Sequence, residues 1–182
     1  MSEPTYLPLL NSIAVNERKG ETLLNAWADA TNDPELEGAL RFVAIREGEH
    51  AAAFAKRMCE LGYPVCEETA YQVFKSFDEL CAFVSSGASD AEKVARLRGD
   101  DKGERKDPFR KFFKDTTIDP QTGALLGRFI AEERDSGRRL NAQYDRVCGA
   151  ASSGDTEIAA LRARVEELCE EIAALKRVRN VA

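Results

Sequence analysis

Residues 34–61, PELEGALRFVAIREGEHAAAFAKRMCEL, read as one long amphipathic helix. Leu36, Leu40, Val43, Glu47, His50, Phe54 and then Met58 or Leu61 recur at spacings of three and four, which places them on one stripe of a 3.6-residue repeat. The start is marked by Thr31-Asn32-Asp33-Pro34, where Asp33 suits a cap and Pro34 the first helical turn. Gly62 and Pro64 supply the stop. The stripe is apolar except at Glu47 and His50, and those two exceptions are the first candidates for function.

Upstream, Leu10, Ala14, Glu17, Glu21, Leu24 and Ala28 form a second stripe, widened by Ile13, Gly20 and Trp27, so a helix is expected over about 8–31. Two long helices joined by so tight a loop must lie antiparallel, as at the start of a bundle. Downstream, residues 67–86 read as a third helical piece, through Val73, Phe74, Phe77, Leu80, Cys81 and Val84. After a break at 85–90, Ala91–Leu97 suits a short helix. Gly99–Asp107 is charged, and Phe109–Phe113 is a short amphipathic stretch. Residues 121–147 carry the last long stripe: Leu126, Ile130, Glu133, Gly137, Leu140, Tyr144 and Val147.

Gly149–Asp155 is rich in Gly, Ser and Ala and reads as a linker. Beyond it Ile158, Leu161, Val165, Leu168, Ile172 and Leu175 alternate at three and four. With Ile158 at heptad position a, every a is β-branched and every d is Leu, a pattern that favours parallel two-stranded coils. The expected architecture is all-α: an antiparallel four-helix bundle over 1–148, a linker at 149–155, and a coiled-coil dimerisation helix at 156–179. A homodimer through that helix is the expected partnership. Folding of the last helix back onto its own bundle is the competing arrangement.

Bulk properties narrow the function. The 182 residues are 43% hydrophobic and 32% charged with net charge −6, and the pI near 5.1 argues against a general nucleic-acid binder, which needs a basic face. The stretch Arg96–Lys114, with Phe109, Phe112 and Phe113, reads as a solvated loop and one amphipathic turn. No apolar run approaches the length that spans a bilayer, and Met1–Pro8 lacks the pattern of a secretion signal. The expected location is the cytoplasm. Cys59, Cys66, Cys81, Cys148 and Cys169 are odd in number and form no C-x-x-C, so reduced, mostly buried thiols are expected. A single histidine excludes two-His zinc fingers and zinc enzymes of the His-x-x-x-His type.

Glu17, Glu47, Glu133 and His50 all sit on stripes that otherwise are apolar. A carboxylate facing a helical core is costly unless it is paired or bound to a metal. Glu47 and His50, three apart, share one face and offer an oxygen and a nitrogen ligand. Glu17, near the middle of the antiparallel neighbour, can face them. Such a set suits iron or manganese. The competing reading is a metal-free cluster in which Glu17 or Glu47 satisfies His50 by hydrogen bonding.

Asn-Glu-Arg-Lys-Gly around Glu17 and Gly20, followed by Glu47-Gly48-Glu49-His50, resembles the first helix pair of the ferritin-like, rubrerythrin-type family. The resemblance covers residues 10–62. It implies a carboxylate-bridged di-iron centre, one side held by the first-helix Glu and the Glu-x-x-His, with a further Glu and a second Glu-x-x-His from two more helices. The second half departs from that pattern. In Ala131-Glu132-Glu133-Arg134-Asp135-Ser136, Ser136 stands where the second His belongs, and a shifted register selects Glu132 and Asp135 instead of Glu133. Glu92 and Glu104 are the candidates for the third-helix Glu. The resemblance implies iron, oxygen or peroxide chemistry at an asymmetric or single-ion site. The coiled-coil pattern suggests instead a non-enzymatic assembly protein whose bundle is an interaction module. Trp27 and Tyr144 read as core or rim aromatics.

Overall fold

A computed structural model describes residues 4–74, 76–99 and 115–179; within 151–179 the side chains described are those of Leu161, Arg164 and Val165. Every element among the described residues is helical: α1 (Leu7–Ala30), α2 (Pro34–Glu60), α3 (Phe77–Val84), α4 (Asp90–Gly99) and α5 (Pro120–Arg179). No described helix is long and apolar enough to cross a membrane. The chain divides into two compact units, Met1–Tyr144 and Asp145–Ala182.

The ends of α1 and α2 fall within a residue or so of the expected ones. Asp33 caps α2 by accepting from the backbone N–H of Glu35 and Leu36, both at 3.0 Å. Gly62 ends it with a φ of 87°, a left-handed conformation that Gly adopts without the Cβ penalty. The two helices pack along their length, and their buried residues, Leu10, Ile13, Leu24 and Trp27 on α1 and Leu36, Leu40, Val43 and Phe54 on α2, are those of the stripes.

Helix α5 opens with a cap that the sequence reading passed over. The Asp119 carboxylate accepts from the backbone N–H of Gln121 and Thr122 (both 3.0 Å), and Pro120 follows as the first helical residue. Asp119 also accepts from the Tyr6 hydroxyl (2.9 Å) and pairs with Arg57 (2.9 Å), pinning this helix start against α1 and α2. Tyr6, Leu7, Leu10, Phe54, Met58, Leu126 and Phe129 close into one core cluster beside it. At the other end of α1, Trp27 stacks on Tyr144 (centroids 5.4 Å apart) and donates from Nε1 to Asp90 (2.7 Å) at the start of α4.

Three expectations are corrected. The third helical piece shrinks from 67–86 to Phe77–Val84, because α1 holds the preceding segment in an open conformation. Asn11 donates to the Cys66 carbonyl (2.8 Å) while its own carbonyl accepts from Cys66 N–H (2.8 Å). Asn16 does the same with the Tyr71 carbonyl (2.7 Å) and Val73 N–H (3.1 Å), and Ser12 accepts from Tyr71 N–H (3.0 Å). These side-chain amides take the place of the i→i+4 ladder a helix would need. Asn16→Ala leaves the Tyr71 carbonyl and Val73 N–H without that partner, and we expect about 1–2 kcal/mol of lost stability together with faster proteolytic cleavage between residues 66 and 74. A cleavage rate equal to wild type would refute the strap.

Second, Gly149–Asp155 is helical: α5 runs through it. The stretch contains no Pro, and a helical Gly costs only about 1 kcal/mol relative to Ala. Third, Leu126, Tyr144 and Val147 of the α5 stripe are buried as expected, but between them Phe129 and Ser136 are buried while Ile130 and Gly137 are only half-buried. This local shift brings Glu132 as well as Glu133 to His50. Glu104 and Phe109–Phe113 lie outside the described residues.

Candidate metal centre

His50 is 2% exposed, held on the inner face of α2 by the same period that buries Phe54 and Val43. Phe129 covers the imidazole edge-on, centroids 4.9 Å apart, and packs in turn against Phe54 at 5.2 Å. In this apolar setting the ring meets three carboxylates. Nε2 is 2.8 Å from Glu132 Oε2. Nδ1 is 3.1 Å from Glu17 Oε2 and 3.5 Å from Glu133 Oε1. Glu17 is 8% exposed, Glu132 and Glu133 half-buried. The register of α5 therefore delivers both of the alternatives that the sequence left open, to opposite nitrogens of one ring. Asp135, the other alternative, faces away and pairs with Arg46 (3.0 Å) and Arg139 (2.7 Å).

Glu47, one turn from His50, is half-buried and hydrogen-bonded to Glu17. It reaches α1 because residue 20 is Gly: a Cβ there would press on the Glu47 carboxylate, 3.2 Å from Cδ. Glu47 is outside the group whose donor atoms converge; that group is Glu17, His50 and Glu133, with all three atoms within 4.8 Å of one another. Glu92 is elsewhere: it accepts from the backbone and hydroxyl of Ser89 and caps α4.

The electrostatics are those of too many acids around one base. Burial, then the charges of Glu17 and Glu133, push the Glu47 carboxyl up to about 10. Burial also raises Glu17. Burial alone would lower His50, but the carboxylates of Glu133, Glu17 and Glu132 around the ring outweigh it and carry the imidazole up to about 10. Glu132 is shifted down: burial raises it, and His50 and Arg128 more than compensate. Both shifts favour the protonated forms near neutral pH: an imidazolium at His50, donating to Glu17 and Glu132, and a neutral acid at Glu47.

One atom stays unsatisfied. Glu133 Oε1 is buried without a hydrogen-bond partner; at 3.5 Å from His50 Nδ1 it feels the charge but lacks hydrogen-bond geometry, and Nδ1–H is already directed at Glu17. A buried carboxylate oxygen in this state is destabilising unless something else approaches it.

Ser136, in the place where the resemblance expects a second histidine, is 3% exposed, and its hydroxyl accepts from Arg46 Nη1 at 3.1 Å. The same nitrogen donates to the Glu132 carbonyl and to Asp135, both at 3.0 Å. Arg46 thus brings a fixed positive charge beside Glu132 and Ser136 on α5. It lies one helical turn before His50, on the same face, and that i, i+4 relation was the available signal for a role the sequence reading did not assign. Comparison with known protein families, with curated proteins and with solved structures gave no match to this chain.

Proposed function

We propose that this chain is a metal-binding protein of the ferritin-like, rubrerythrin type, in which Glu17, His50 and Glu133 hold a single iron or manganese ion and Glu47, now hydrogen-bonded to Glu17, turns in as a fourth donor when the ion enters. The observation that carries this reading is the buried, unpartnered Glu133 Oε1 beside the Nδ1 edge of His50. The spacings fit the group. Donors about 2.1 Å from a shared divalent ion stand about 3.0–3.4 Å from one another in octahedral or tetrahedral arrangements; Nδ1 is 3.1 Å from Glu17 and 3.5 Å from Glu133. The donor chemistry, three carboxyl groups and one imidazole, suits iron or manganese better than a soft, thiolate-seeking ion.

Each surrounding residue then has a task. Glu132 accepts the Nε2 proton, which fixes the tautomer that leaves the Nδ1 lone pair facing Glu17 and Glu133. Phe129 and Phe54 keep water from the ring. Glu47 and His50 give up their protons when the cation enters, so its charge replaces theirs. Arg46 sets a fixed positive charge beside Glu132 and Ser136, which favours one ion over a pair. A bound iron would supply open coordination positions for oxygen or peroxide.

The test is iron content per chain, by elemental mass spectrometry after aerobic reconstitution with ferrous iron. Wild type is expected to retain about one ion per chain and Glu133→Gln to lose most of it. Asp135→Asn, which touches Arg46 but none of the three donors, is expected to retain it. Equal retention by wild type and Glu133→Gln, or none by either, would sink the reading.

A further inference from the structure

Helix α5 continues to Arg179, through a second compact unit that begins at Asp145. Leu161 and Val165 are 60% and 58% exposed there. They are consecutive d and a positions of the only stretch in the chain with an unbroken heptad. We propose that residues 156–179 of two copies pair as a parallel, two-stranded coiled coil. This goes beyond the metal reading and stands without it.

The occupant is set by charge as well as by the apolar seam. The g positions are Glu157, Arg164 and Glu171, and the e positions Arg162, Cys169 and Lys176. In a parallel dimer each g faces the following e of the second copy. Glu157 then meets Arg162 and Glu171 meets Lys176, twice each by symmetry, while Arg164 meets the uncharged Cys169. In an antiparallel dimer g faces g and e faces e. Glu157 would meet Glu171, Arg164 would meet itself, and Arg162 would meet Lys176. Every charged contact attracts in one orientation and repels in the other. The choice of β-branched residues at a and Leu at d selects two strands in the same sense.

Three heptads are few for an isolated coil, because the first helical turn is costly to form. Here that turn is already made: α5 starts at a capped Asp119-Pro120, and the seam extends an existing helix.

The experiment uses the full chain and reads mass by light scattering and sedimentation over a dilution series. Wild type is expected at twice the 20.1 kDa chain mass. Glu171→Lys turns attraction into repulsion against Lys176 at two places, and the dissociation constant should rise roughly tenfold or more. In an antiparallel pair the same substitution would create attraction with Glu157 and tighten the dimer. The double variant Glu171→Lys/Lys176→Glu should return the parallel dimer to wild-type affinity, with helix content checked by circular dichroism. A monomeric wild type, or a Glu171→Lys variant that binds as tightly as or more tightly than wild type, overturns the proposal.

Discussion

His50→Ala is expected to destabilise the metal-free protein by about 3–5 kcal/mol at neutral pH, the range for breaking a buried ion pair by deleting one partner. The imidazolium donates to Glu17 and Glu132, the latter also paired with Arg128, and Glu133 leans on its charge at 3.5 Å. Its removal leaves the buried Glu17 and the half-buried Glu47 and Glu133 without the imidazolium between them. Part of the cost is a cavity, because His50 packs edge-on to Phe129 at 4.9 Å. His50→Leu refills most of that volume without restoring charge, so the difference between the two variants separates packing from electrostatics. The measurement is urea unfolding in chelator with a common m-value. A loss below about 1 kcal/mol in His50→Ala, typical of a surface change, would show that the carboxylates do not depend on the imidazole.

Much of this arrangement was legible in the sequence, and the reasons are physical. The stripes of α1 and α2 hold because a long apolar period can bury only one face. Asp33-Pro34 and Gly62 marked helix ends because capping is local chemistry. Glu17 and His50 stood out as polar residues on apolar stripes, and both are buried as that position required. What failed depended on contacts distant in sequence. Residues 67–76 have a helical apolar pattern, but Asn11 and Asn16, some 55 residues earlier, take their backbone groups. Nothing local to Val73 or Phe74 reveals that. The face of α5 held at Leu126, Tyr144 and Val147 but slipped by one in between, because Phe129 and Ile130 are equally apolar and the choice between them is made by Phe54 and His50 across the interface. That local slip determines whether one glutamate or two reach the histidine. The linker at 149–155 was inferred from composition, and composition speaks weakly against helix where Pro is absent.

Arg46 illustrates a different limit. An arginine on a helix reads as solvent-facing, yet its guanidinium closes on the Glu132 carbonyl, Asp135 and Ser136, and stacks within 4.7 Å of Phe42. A small hydroxyl at 136 leaves room for a long cationic side chain, and that cation accounts for the buried serine and for the neighbouring acid.

In chelator, stability is expected to fall steadily from about pH 6.5 to pH 10, by roughly 1.4 kcal/mol per pH unit for each proton the folded state holds in excess, as an upper bound. His50 releases its proton near 6.5 when unfolded and near 10 when folded. Its contribution is complete below 6.5 and gone above 10. Glu47 moves in the same sense: its proton leaves near 4.5 unfolded and near 10 folded, so its contribution is complete below 4.5 and is also exhausted by 10. Between pH 6.5 and 10 both groups act together. Glu132 and Asp135, both shifted down, act on the acid side, where stability is lost as pH falls. The two sets leave a maximum near pH 4.5, with a shallow fall from there to pH 6.5 from Glu47 alone and a steeper one above 6.5 where His50 joins it. Glu47→Gln removes one of the two alkaline protons, so the slope above pH 6.5 should be roughly halved. A divalent ion inverts the trend. It competes with protons on His50 and Glu47, so the rise in melting temperature produced by added manganese should grow with pH across the same window. A melting temperature flat from pH 6.5 to 10 in chelator would mean that the imidazole is neutral in the folded state. The Nδ1 edge would then need no proton loss before a cation enters, and metal stabilisation would lose its dependence on pH.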